Sequence, residues 1–157
     1  MNKLEFHTNK VLKLKNVLKY KINIGEENLD FNVIIQQMNT YIKTKGFVQI
    51  GPLIQYTRTF LNGDGEFDME IILMLQCNNF IHNVEKPYFM ESTIRIPNAL
   101  YCRYTGPESN LKFAYDKINI EAFEEDVSLK GSSYTIFINK NQEEDTIIAD
   151  VFMERAD

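Results

Sequence analysis

YTGPESNLKFAYDKINIEAFEE, residues 104 to 125, joins a helix start signal to a clean helical stripe. Thr105 and Glu108 stand in the T-x-x-E spacing of a capping box, in which a hydroxyl and a carboxylate each satisfy an unpaired backbone donor of the first turn. Pro107 suits that turn, because its missing N–H has no intrahelical partner to lose there. Leu111, Ala114, Tyr115, Ile118 and Ala122 recur at helical spacing, while Lys112, Asp116, Lys117, Glu121 and Glu125 turn mostly away. A helix with one apolar face calls for a sheet beneath it.

Outward from this helix the chain alternates strand and helix patterns. Leu12, Leu14, Leu18, Tyr20, Ile22 and Ile24 share even positions, and Lys13, Lys15, Lys19 and Lys21 share odd ones, which predicts a strand. The lysine row reads more simply as a solvated face that discourages edge pairing than as an anion-docking surface. Asp30 can cap a helix with the stripe Phe31, Ile34, Ile35, Met38 and Ile42, ending at Gly46. Residues 47 to 60 are extended, and Gly51-Pro52 within them demands a bulge or an edge. Asn62-Gly63-Asp64-Gly65 predicts a hairpin turn into a strand whose apolar face is Phe67, Met69, Ile71, Leu73 and Leu75.

After a polar connection the order begins again. Tyr88 to Ile96 predicts a strand, Pro97-Asn98 a break, Ala99 to Tyr104 an extension, and then the opening helix. Tyr134, Ile136 and Ile138 mark the next strand. A polar run from Asn139 to Asp145 predicts a hairpin loop, and Ile147, Ala149, Val151 and Met153 mark the last strand. Strand, helix, strand, strand is written twice, in one α+β unit with halves at about 10–78 and 88–155 and a linker at about 79–87.

Composition narrows the function classes. The 157 residues are 44% hydrophobic, ample for a core, and the net charge of −5 argues against a general nucleic-acid binder, whose affinity comes from basic side chains on phosphates. The charged start MNKLEFHTNK does not read as a signal peptide, and no run approaches the roughly 18 apolar residues of a membrane span, so a cytoplasmic protein with no membrane partner is expected. Cys77 and Cys102 read as free thiols in a reducing compartment. His7, His82 and the two cysteines show no metal-ligand spacing, no Gly-rich phosphate loop is present, and haem ligation has no support. No cofactor or metal is expected.

The stretch IRIPNALYCRYTGPESNLKFAYDKI, residues 94 to 118, resembles the signature of the gyrase-inhibitor-like (GyrI-like) effector-binding superfamily, in which a strand ending in Ile-Pro-Ala type residues leads to Tyr-x-Gly and a helix. Gly51-Pro52 after the first helix and the acidic pair Asp68 and Glu70 are similar too. The resemblance implies two strand-helix-strand-strand units that form one curved antiparallel sheet, with both helices on one side and a central cleft. Members of the family bind lipophilic cations as drug-sensing domains, inhibit gyrase as small stand-alone bacterial proteins, or hydrolyse reactive small molecules. In the cation-binding members the strand after the second helix carries a Glu-x-Tyr pair; Thr135 and Phe137 occupy those places here.

The resemblance implies a small lipophilic or aromatic ligand, bound without catalysis. The candidates to line its cleft are Tyr104, Tyr115, Tyr134, Phe137, Asp68, Glu70 and Asp150. Tyr41, Tyr56 and Tyr101 join the tyrosines in reading singly as ordinary packing, and burial of Asp150 without partners would itself point to a function. Two alternatives stand beside the ligand reading. One is a protein-binding, inhibitory module of the same fold. The other is a hydrolase, for which Asp68, Glu70, Tyr104 and Tyr115 are the plausible acid and tyrosine set.

Overall fold

Six strands close into an antiparallel barrel and two helices pack on its outside in the computed structural model, which describes residues 2–25 and 29–157. In chain order the elements are β1 (Lys3–Lys21), α1 (Phe31–Thr44), β2 (Gln49–Leu61), β3 (Phe67–Cys77), β4 (Tyr88–Gly106), a 3₁₀ turn (Glu108–Asn110), α2 (Lys112–Glu124), β5 (Leu129–Asn141) and β6 (Thr146–Arg155). The strand order β1-β3-β2-β5-β6-β4 returns to β1, so the curvature expected of the sheet is carried to closure. Two seams join the halves. One is the long β1–β4 ladder, and the other is a short β2–β5 ladder from Ile54↔Ile136 to Arg58↔Ser132.

Alternation along the strands divides the apolar residues among three cores. The barrel interior takes side chains from every strand, among them Leu12, Leu14, Ile54, Met74, Ile96, Tyr101, Tyr134 and Phe152. Side chains fill it, as they do in barrels of this size. Outside, α1 buries Ile34, Met38 and Ile42 on Leu18, Leu73 and Leu75, and α2 buries Ala114, Ile118 and Ala122 on Leu100, Cys102 and Val151. Both cysteines are free and buried, and burial pushes each thiol up to about 11.

Local rules account for most of these elements. The Asp30 carboxylate accepts from the Asn32 N–H at 3.0 Å to start α1, and Gly46, at φ 87°, takes the left-handed position after its end. Gly51-Pro52 falls in a register shift between Ile50 and Ile54. The Asn62 side chain accepts from the N–H groups of Asp64 and Glu66 and so builds the β2–β3 turn.

Four local expectations are corrected. The even positions of β1 do not share one face: Asn16, at φ 52°, shifts the alternation, so that Leu12 and Leu14 point into the barrel while Leu18 and Ile22 point out to α1. The lysine row is divided accordingly. Lys13, Lys15 and Lys21 are exposed and Lys19 is half-buried, and Lys19 and Lys21 pair with Glu91 and Glu70. Pro97-Asn98 does not end a strand, because β4 runs through it with an irregular register opposite Lys10 to Leu12 that spares the missing proline donor. Thr105 and Glu108 form no capping box: Thr105 stays in the ladder opposite Ile148, no side chain caps α2, and Glu108 reaches Lys140. Finally, Phe67 and Met69 are exposed, beyond the reach of α1, although they continue the face of Leu73 and Leu75.

Candidate functional site

A groove runs between the two helices, floored by the outward-facing residues of the β2–β5 seam. α1 packs on β3 and β2 from one side, and α2 packs on β4, β6 and β1 from the other, with the β2–β5 seam between them and Thr135 of that seam buried under α2. Its floor follows from strand parity. Tyr56, Tyr134 and Ile136 turn into the barrel, so their neighbours Gln55, Thr57, Ser133, Thr135 and Phe137 turn out.

Two cavities lie along the groove. The first, about 480 Å³, is lined by Phe31 and Ile35 of α1, Leu53 and Gln55 of β2, and Phe137 and Ile147 from the second half, with Glu108 and Lys140 at its edge. It lies where the fringes of the two helix-covered cores meet. The second, about 270 Å³, is lined by Thr57, Thr59, Ser132 and Ser133 with Asn119 of α2. Between them in register stands the Gln55↔Thr135 pair, and there the Tyr115 hydroxyl comes down from α2 onto the hydroxyl of Thr135. Burial raises the Tyr115 phenol above its ordinary range, partly offset by its bond to Thr135.

Of the seven residues expected at a ligand site, the structure brings Tyr115 and Phe137 to this groove. Tyr134 faces the barrel interior, its ring 4.9 Å from that of Tyr56, and burial drives its phenol pKa upward. Asp150 also faces inward and is buried, but it is not alone. Its Oδ1 accepts from the Tyr101 hydroxyl at 2.8 Å and from Arg103 Nε at 2.7 Å, and its Oδ2 accepts from the second arm of Arg103 at 3.0 Å. A carboxylate so fully partnered needs no ligand to explain its burial.

Tyr104 is completely buried beneath α2, and its hydroxyl donates to the Pro107 carbonyl, next to Asn2. The glycine two residues on is what permits this. A Cβ at Gly106 would sit 2.6 Å from the Tyr104 hydroxyl, so the Tyr-x-Gly spacing is a packing device. Asp68 and Glu70 lie at a different place, beside an open basin with Phe60, Met69 and Phe89, where Glu70 pairs with Lys21 at 3.2 Å and Arg58 at 3.6 Å. Asp68, Glu70, Tyr104 and Tyr115 are therefore not brought together. Among the described residues no group of three or more His, Cys, Asp or Glu could hold a metal. No described helix is long and apolar enough to cross a membrane.

Gln55, Leu53, Ser133 and Thr57, which complete the groove, did not stand out in the sequence. Their signal was parity: once Ile54 and Ile136 are placed in the core, odd positions of β2 and β5 must face the helices.

No family model matches the chain, and no curated protein matches it by sequence. Solved structures do resemble it. The EcmrR C-terminal domain superposes with a TM-score of 0.66 at 14% identity, over 99% of this chain and 96% of that one. EcmrR in its DNA complex matches with a TM-score of 0.63 at 14% identity, over 98% of this chain, which spans only 57% of that longer one. SAV2435 bound to tetraphenylphosphonium gives a TM-score of 0.52 at 7% identity, over 98% of this chain and 93% of that one. A hydrolase encoded by lin2189 from Listeria innocua gives 0.58 at 10% identity, over 98% and 92%. At such identities the likeness shows the fold, that of the EcmrR C-terminal domain.

Proposed function

We propose that the protein binds a small, partly aromatic molecule in the groove between its two halves and does not transform it. The observation that carries this reading is the cavity of about 480 Å³ whose walls come from α1, β2, β5 and β6 at once. Ligand sites favour such junctions, with apolar walls and a few convergent polar groups. Phe31, Ile35, Leu53 and Phe137 supply the walls, and Gln55 supplies a polar group. The likeness to a structure bound to tetraphenylphosphonium supports small-molecule binding as the use of the fold. Against the hydrolase reading, Asp68, Glu70 and Tyr104 do not converge with Tyr115 in the groove.

A thermal-shift screen of lipophilic cations, neutral aromatics and organic anions tests it, with Phe137→Arg as the blocked control. Ligand at about 100 times Kd stabilises by ~2.7 kcal/mol, which corresponds to roughly 5 to 10 °C for a chain of this size. A shift in the native chain that Phe137→Arg abolishes is the expected result. No shift across the panel would sink the reading.

One observation favours a second use of the fold, as a protein-binding module. Phe113, Ile120 and Phe123 are exposed along the outer side of α2, and Phe123 is 87% exposed. Affinity capture with the native chain and with Phe123→Glu, Ile120→Glu would decide: a stoichiometric partner lost in the double variant supports this use, and equal recovery by both excludes that helix face.

A further inference from the structure

Every polar group on the floor of the groove is uncharged. Gln55, Thr57, Ser133 and Thr135 offer one amide and three hydroxyls across the β2–β5 seam, and Asn119 adds a second amide from α2. The charged side chains at the edge of the larger cavity, Glu108 and Lys140, lie 3.3 Å apart and neutralise each other. Buried charge elsewhere in the molecule sits on the opposite face of the sheet, where Asp150 is saturated by Arg103 and Tyr101. An ion entering the groove would lose hydration and meet only Glu108 and Lys140, each already paired with the other, whereas an amide, hydroxyl or carbonyl would exchange water for equivalent partners.

The two ends of the groove also differ. The larger cavity is lined by the rings of Phe31 and Phe137 with Ile35, Leu53 and Gln55, and the smaller, which holds no ring, by Thr57, Thr59, Ser132 and Ser133 with Leu129 and Met153. Tyr115 stands between them, its hydroxyl satisfied by Thr135. We infer that the ligand is an uncharged molecule with an aromatic end for the larger cavity and a hydrogen-bonding end directed to Gln55, beside the Thr135–Tyr115 pair. This deepens the small-molecule reading and rests on it.

The test compares three probes that share one ring system: 2-naphthol, the 2-naphthyltrimethylammonium cation and 2-naphthoate. Each is titrated by calorimetry into the full chain, into Phe137→Arg and into Thr135→Glu. In the native chain the naphthol should bind at least about tenfold more tightly than either ion, since the charges at the edge of the groove are already paired with each other. Phe137→Arg should abolish that binding. Thr135→Glu should invert the order in favour of the ammonium. If that variant does not fold, Gln55→Glu places the same charge on the register partner across the seam.

An ammonium or carboxylate that matches or exceeds naphthol in the native chain, with binding lost in Phe137→Arg, would overturn the uncharged class and leave the groove as a ligand site. Unchanged probe preference in folded Thr135→Glu and Gln55→Glu would overturn the assignment of the polar end. Failure of all three probes to bind, or binding indifferent to Phe137→Arg, would remove the ligand groove itself and the inference with it.

Discussion

Thr135 and Asp150 lie almost beside each other on the paired strands β5 and β6, Thr135 opposite Val151 and Asp150 opposite Ile136, yet they face opposite sides of the sheet. Asp150 points into a barrel filled by rings and aliphatic chains, and both of its oxygens are bonded, by Arg103 and Tyr101. Thr135 points outward under α2, buried between residues that line the two cavities, Gln55 opposite it and Ser133 two positions before it, and its hydroxyl meets a tyrosine from α2. Burial alone thus does not mark a site. A buried charge with complete partners specifies packing, and buried neutral groups beside a cavity leave capacity for a guest.

The largest effect that separates packing from binding belongs to Tyr104. Its ring is completely buried under α2. Tyr104→Ala should cost about 4 kcal/mol in urea unfolding, the usual range for emptying a large aromatic site. A loss under about 1 kcal/mol, with ligand binding lost selectively, would reassign Tyr104 to the groove.

Asp150→Asn comes next. It keeps the volume of the side chain but withdraws the charge that holds both arms of Arg103. The Arg103 side chain is 41% exposed, so water can recover part of the loss, and about 2 kcal/mol is expected rather than the larger values of fully buried pairs. Probe affinity in the groove should stay unchanged. A change in affinity without a change in stability would break the division between the two faces of the sheet.

An alkaline unfolding series sharpens the same division. Burial, and then the hydrogen bond to Asp150, pushes the Tyr101 phenol up to about 12. Unfolded tyrosine titrates near pH 10, so the folded state favours the neutral phenol. This stabilisation is fully present below about pH 10 and is lost as pH rises through about 12, and it amounts to about 3 kcal/mol. The part of the loss due to Tyr101 should vanish in Tyr101→Phe; an unaltered alkaline profile in that variant would show the phenol to be solvated.

Element order was legible in the sequence because it rests on strong local chemistry. Asp30 and Gly46 bound α1, Gly51-Pro52 marks a bulge, and Asn62 to Gly65 makes a turn, each through groups within a few residues. The phase of β1 was not legible, since a single left-handed Asn16 reverses which side its later residues face. The groove was partly legible. Phe137 and Tyr115 were placed by motif, but Tyr104, Tyr134 and Asp150 share the same residue types and strand neighbourhoods and differ only in which face they take. Closure of the barrel fixes that choice, and closure depends on long-range pairings that no local pattern records.

The smallest effect is the most specific to the groove. Tyr115→Phe removes only the hydroxyl that meets Thr135, and the ring keeps its place against the core under α2. Loss of one neutral hydrogen bond should cost about 1 kcal/mol, and Thr135→Val should cost a similar amount for the same bond. Because the two hydroxyls satisfy each other, the double variant should cost less than the sum of the singles, and the shortfall, about 1 kcal/mol, is the coupling between α2 and β5. That coupling should fall when a ligand with a hydrogen-bonding end is bound, since the ligand then competes for the same hydroxyls. Additive singles would mean that Tyr115 and Thr135 act independently, and the contrast between a saturated interior and an adaptable groove would lose its central contact.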